Sequence, residues 1–86
     1  MNNNVFDYLL NLRSKGYLIT FDLNDYGRLT IKQGYNEYID GRKIYEIKHR
    51  RLAIVNLDEV NNSPFEMEEL RRKIDKNLIP DNRINY

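Results

Sequence analysis

Eighty-six residues make one domain, and a chain this short buries a modest core of marginal stability, on the order of 5 kcal/mol. It holds no cysteine, which excludes disulfides and thiolate metal sites, and its net charge of +1 singles out no class of partner. No run approaches the roughly 18 apolar residues of a membrane span, and Met1-Asn2-Asn3-Asn4 lacks the charged and apolar regions of a signal peptide, so a soluble, cytoplasmic protein is expected.

Asn2 to Asn4 supply candidate N-caps for the first element. Val5, Phe6, Leu9, Leu10 and Leu12 then recur at spacings of one, three and four, which predicts an amphipathic helix over 4–15. Arg13 and Lys15 near its end suit the macrodipole, and Gly16 suits the position just past it. This helix is expected to lay Val5, Phe6, Leu9 and Leu12 on the apolar face of a sheet.

The sheet is read in residues 17 to 47. Tyr17, Ile19, Phe21 and Leu23 alternate with Leu18, Thr20, Asp22 and Asn24, the period of a strand. Asn24-Asp25-Tyr26-Gly27 is turn chemistry, and Arg28 to Lys32 alternates again, so the two runs make a hairpin. Gly34 interrupts the pattern. Tyr35 to Ile39 and Arg42 to Ile47 flank Asp40-Gly41, the strongest short-range hairpin signal in the chain, with 35–39 read as either a strand or a wide loop. Leu52 with Val55 suits a helix and Ala53 with Val55 suits a strand; the reading adopted is a short helix at 49–56, followed by a loop at 58–62.

Ser63-Pro64-Phe65-Glu66 is a capping box with Pro at the first helical position. The helix it opens runs to about Leu78, with Met67, Leu70, Ile74 and Leu78 as its apolar stripe. Glu68–Arg72 and Glu69–Lys73 stand at the stabilising i,i+4 spacing. Pro80 closes the helix and Asp81 to Tyr86 reads as a frayed tail, which leaves an ordered core of 4–79 in a single domain, 1–86. The fold class is α+β: a helix, an antiparallel sheet of three to four strands, then two helices packed on one sheet face.

The case for catalysis is poor. His49 is alone, with no second His or Cys to share a metal or a nucleophilic role. Asp22 to Gly27 starts like a calcium loop, but position five is Tyr26 and position twelve is Gln33, where a bidentate Glu is needed. Asp58-Glu59 and Glu68-Glu69 are neighbours whose side chains diverge, whereas acid–base work needs two carboxylates converging in a cleft. Asn61-Asn62-Ser63 matches a glycosylation acceptor only formally, and the four glycines form no phosphate loop. The expectation is no enzyme, no cofactor and no metal.

Two surfaces remain. Residues 41–51 carry Arg42, Lys43, Lys48, Arg50 and Arg51 against Glu46, a charge of +4, with Tyr35, Tyr38 and Tyr45 nearby. Cations interleaved with aromatics on a sheet can bind nucleic acid, although Lys and Arg also protect a bare sheet edge and tyrosines pack across strands. From Leu57 to Glu69 there are Asp58, Glu59, Glu66, Glu68 and Glu69 with no cation, a charge of −5. Such a patch can mimic phosphates in a basic groove, and charge at a helix N-terminus explains three of the five without a partner.

Asn, Ile, Lys and Tyr, with AT-rich codons, abound, while Ala53 is the only alanine and Trp is absent, as in a low-GC bacterium, its phages or its mobile elements. The first helix at 4–15, the Tyr-rich strands and the capping-box helix at 64–78 together resemble the plan of small orphan phage and mobile-element proteins, among them anti-CRISPR proteins that cover the nucleic-acid-binding surface of a CRISPR nuclease. The resemblance covers most of the chain as architecture and rests on no motif, so no residue role is carried over from it. It implies a host-directed, non-enzymatic inhibitor acting in the host cytoplasm by occupying a site on a host protein, such as a nuclease or nucleoprotein complex. The alternative read from the residues is a small nucleic-acid-binding regulator using the stretch 35–51. A third is a self-assembling protein that pairs through a sheet edge. No membrane partner is expected, and the chain is expected as a monomer or homodimer. The candidate partner-binding residues are Tyr35, Tyr38, Arg42, Lys43, Tyr45, Arg50 and Arg51 on the basic side, with Asp58, Glu59, Glu68 and Glu69 on the acidic side.

Overall fold

The computed structural model describes residues 4–39 and 41–79, with backbone only at 37–39 and 43–46. The expected tail at 80–86 and Asp40 of the second hairpin lie outside the described residues. The element order is α1 (Val5–Ser14), β1 (Leu18–Leu23), β2 (Arg28–Ile39), β3 (Arg42–Asn56), α2 (Leu57–Asn62) and α3 (Pro64–Asn77). The strands form one antiparallel sheet in the order β1-β2-β3. The α+β class, with helices on one sheet face, is as expected, and the described residues form three strands.

Helix α1 begins where Asn4 accepts from the Asp7 N–H (3.0 Å) and ends as the Gly16 N–H donates to the Arg13 carbonyl (2.9 Å). Its Val5, Leu9 and Leu12 are buried, while Phe6 lies at the margin with its ring 5.3 Å from that of Phe21. Arg13 turns back to the sheet. Its Nε donates to the Ile19 carbonyl (2.8 Å), and its guanidinium sits 5.3 Å from the Phe21 ring centroid.

In the first turn, Asn24 Oδ1 accepts from the N–H groups of Tyr26 and Arg28 (both 2.9 Å), and Gly27 takes the positive φ (80°) that the turn requires. Asn24 is thus occupied as a turn former, in line with the hairpin reading of this stretch. The Gly27 carbonyl accepts from the Leu57 N–H (2.8 Å), which ties the turn to the start of α2. Residues 35–39 are strand, and β2 runs unbroken through Gly34, contrary to the expected interruption. A Cβ at Gly34 would stand 2.5 Å from Leu18 Cδ2, so the missing side chain makes room for the Leu18 side chain of β1.

The helix expected at 49–56 is wrong: this segment is the second half of β3. Leu29 pairs with Val55 and Ile31 with Ala53, but Lys32 then pairs with Arg51, leaving Leu52 as a bulge residue. The bulge places consecutive residues, Leu52 and Ala53, both in the core. That breaks the two-residue alternation and leaves Leu52 and Val55 three apart, a spacing that imitates a helix. The loop expected at 58–62 is α2 instead. Asn56 caps it by accepting from the Glu59 N–H (3.1 Å), Val60 anchors it in the core, and Asn61 Oδ1 accepts from the Val5 N–H (3.1 Å). The asparagines that read as loop are caps and ties.

Helix α3 starts as expected, with Ser63 Oγ accepting from the Glu66 N–H (3.3 Å) and Pro64 opening the first turn. It buries Met67, Leu70 and Ile74. Its ion pairs are i,i+3 and not the expected i,i+4: Glu68 with Arg71 at 4.0 Å and Glu69 with Arg72 at 3.4 Å. The Arg71 guanidinium also lies 5.4 Å from the ring centroid of Tyr8 on α1.

The core joins Val5, Leu9 and Leu12 to Ile19, Leu29, Ile31, Leu52 and Ala53 on the sheet, and to Val60, Met67, Leu70 and Ile74 on α2 and α3. One polar side chain, Gln33, is buried with them. Its Nε2 donates to the Ile79 carbonyl (3.0 Å) and its Oε1 accepts from the Ile79 N–H (2.9 Å), imitating a strand pair and fastening the chain beyond α3 to the sheet. Asn77 Nδ2 donates to the carbonyl of the bulged Leu52 (3.3 Å). Gln33→Ala is expected to cost about 1–3 kcal/mol, since it strands the Ile79 backbone groups. Urea unfolding checks this, and a loss under about 0.5 kcal/mol would show that the clamp adds nothing beyond ordinary surface contacts.

Candidate nucleic-acid interface

Strands β2 and β3 are far longer than β1. Strand β1 stops pairing at Leu18–Gly34, whereas β2 and β3 continue from Tyr35–Lys48 to Ile39–Arg42 with no third strand among the described residues. This two-stranded arm contributes to a molecule 45 Å long but 26 and 21 Å across. A second irregularity in register falls between Asn36 and Tyr38, and Gly41 turns the arm with φ of 76°.

The pairing assigns each basic residue to a face. Gln33 faces the helices, so its partner Arg50 lies on that side, as do Tyr35 and its partner Lys48. Lys32 faces away, with Arg51 directly opposite it on β3 and Thr20 on β1. Arg50 and Arg51, grouped together from the sequence, therefore sit on opposite faces. Arg42 is exposed at the arm's turn, while Tyr38, Lys43 and Tyr45 lie on the arm's strands with side chains outside those described. Lys48, Arg50 and Arg51 are exposed, and Tyr35 is half-buried.

The acidic candidates fall elsewhere. Asp58 and Glu59 are exposed in the first turn of α2, and Glu68 and Glu69 lie on α3. Glu68 and Glu69 already have arginine partners. Among the described residues, no carboxylate comes within 4.0 Å of Arg28, Lys32, Lys48, Arg50 or Arg51. Lys32 and Arg51 moreover face each other as like charges, an arrangement that costs stability. Over Arg28 to Arg51 there are seven basic residues against three acidic, a balance of +4, so the remainder of the +1 chain carries −3.

Arg28 and Lys32 were missed in the sequence because they lie outside the dense basic run. The signal was present in the alternation of Arg28, Thr30 and Lys32, which puts all three on the face away from the core. Their approach to Arg51 depends on the bulge. At the other end of this face, Tyr26, Arg28, Ile54, Val55 and Asn56 line an open groove of about 370 Å³.

Among the described residues there is no cluster of three His, Cys, Asp or Glu able to hold a metal, and no helix long and apolar enough to cross a membrane. The Tyr8 hydroxyl is pushed up to about 12 by burial first and then by Asp75, whose Oδ1 accepts from it at 3.1 Å; Arg71 opposes the rise. That direction leaves the phenol less ionised than usual, the opposite of an activated nucleophile. Because the folded protein holds this proton more tightly than the unfolded chain, its contribution to stability is complete below pH 10 and declines as pH rises from 10 towards 12. Tyr8→Phe is expected to remove that part of the alkaline decline. Urea midpoints of both proteins from about pH 9 to pH 11 test this, and parallel declines would refute it.

Comparison of the chain with protein-family models, with curated proteins and with solved structures returns no match.

Proposed function

We propose that this chain is a non-enzymatic nucleic-acid-binding protein whose contact element is the cationic β2–β3 ribbon. The observation that carries the reading is the concentration of cations on the ribbon, +4 over Arg28 to Arg51, without a carboxylate partner among the described residues. Glu68 and Glu69 on α3 are paired with arginines of the same helix, whereas Arg28, Lys32, Lys48, Arg50 and Arg51 have no carboxylate within reach among the described residues. Cations concentrated along an extended antiparallel ribbon suit a polyanion, and a two-stranded ribbon is narrow enough to follow a nucleic-acid groove or backbone. The test is fluorescence anisotropy with labelled single- and double-stranded oligonucleotides from about 50 to 200 mM salt. Log affinity should fall linearly with log salt as counterions are released. Absent or salt-insensitive binding to both would overturn the reading.

A second reading, occupation of a site on a host protein such as a nuclease, is favoured by Phe65. This ring is 69 % exposed in the first turn of α3, beside exposed Glu66 and Glu68. An exposed aromatic ringed by charge is a suitable anchor for a protein partner. A protein captured from a low-GC bacterial lysate that survives nuclease treatment, and is lost with Phe65→Ala, would favour this reading over the first.

A further inference from the structure

We infer that the sheet face turned away from the helices is a track for single-stranded nucleic acid, with the Tyr26 ring as its base-stacking platform. The inference rests on the cationic-ribbon reading and specifies its ligand and its face. Tyr26 is 90 % exposed at the β1–β2 turn, and Ile54 is 38 % exposed beside it. Together with Arg28 and Asn56 they wall the 370 Å³ groove. An exposed aromatic ring beside an exposed aliphatic side chain, at the end of a row of cations, offers a surface on which a base can stack.

From that groove the cations run in one direction. Arg28, Thr30 and Lys32 share the outward face of β2, so Arg28 and Lys32 are about 13 Å apart along the strand. Arg51 stands across from Lys32, and Ile54 across from Thr30. Among the described residues of β1 and its turn, the carboxylates on this side are Asp22, across from Thr30, and Asp25, both exposed; Asp58 and Glu59 follow the groove residue Asn56 at the start of α2. Asp22 lies on the β1 side of the β2–β3 cations, while Asp25 sits in the turn next to Tyr26. A duplex keeps its base faces stacked internally, so only an unpaired strand can use the Tyr26 ring while its phosphates meet Arg28, Lys32 and Arg51.

The experiment uses a fluorescein-labelled oligothymidine of about twelve nucleotides, within the site sizes of such tracks, and a duplex of the same length. The wild-type chain should prefer the single strand. Tyr26→Ala should weaken that binding about 5- to 150-fold, the range for loss of one stacking contact, and leave the slope against log salt unchanged. Tyr26→Phe should restore it, since the ring and not the hydroxyl acts. Tyr26→Ala binding as tightly as wild type, or a duplex bound as tightly as the single strand, would overturn the track while leaving the ribbon's nucleic-acid binding intact. No binding of either probe would instead remove the reading beneath it.

Discussion

Replacing Lys32 and Arg51 together by glutamine is expected to weaken oligonucleotide binding roughly 25-fold at 0.1 M salt and to lower the slope of log affinity against log salt by about 1.4. The figure follows from two phosphate contacts at about 0.7 counterions each for a single strand. The same change should not destabilise the fold. Lys32 and Arg51 face each other across β2 and β3 with no carboxylate within 4.0 Å among the described residues, so neutralising them relieves a repulsion of about 0.2–1 kcal/mol. Affinity and stability therefore move in opposite directions. If these residues were merely a solvated sheet face, stability would rise with no change in binding. Measuring urea midpoint and anisotropy on one preparation separates the two cases.

Ile31→Ala should be the most damaging single truncation in the sheet, at about 2–5 kcal/mol. Ile31 is fully buried on the central strand, between Phe21 on β1 and Ala53 on β3. A domain of this size has on the order of 5 kcal/mol in total, so much of the variant would be unfolded at room temperature. Ile54→Ala, on the opposite face, should cost less than about 1 kcal/mol, because Ile54 leaves little additional cavity behind. Equal losses at the two positions would mean that the faces of β3 are assigned the wrong way round, and the nucleic-acid track would fall with that assignment.

The assignment turns on one residue. Ahead of Leu52 the outward residues of β3 are Ile47, His49 and Arg51; past it they are Ile54 and Asn56. The extra residue switches the parity. A strand without the bulge would send Arg51 towards the core if Ala53 and Val55 kept their burial. This is why Lys32 and Arg51 do not appear as a pair in the linear sequence, and why Arg50 and Arg51, adjacent there, end on different faces. Among the described residues no further strand pairs with the outer edges of the sheet on β1 and β3, and β3 carries Arg42, Lys48, Arg50 and Arg51, cations that discourage edge-to-edge pairing.

The sequence by itself determined what depends on neighbours a few residues apart. The helical stripe Val5-Leu9-Leu12, the alternation of Ile19, Leu29 and Ile31, the Asn24–Gly27 turn and the Ser63 cap each draw on contacts within one or two turns of chain, and all are found where they were read. Tertiary structure decided the rest. The strand at 49–56 exists because β2 supplies its partners from fifteen or more residues away in sequence. Helix α2 exists because Val60 is buried against the core and Gly27 and Val5 bond to its ends. An intrinsic period cannot anticipate these, since a bulge is stabilised by the packing and hydrogen bonds it creates, here the burial of Leu52 and the bond from Asn77 to its carbonyl.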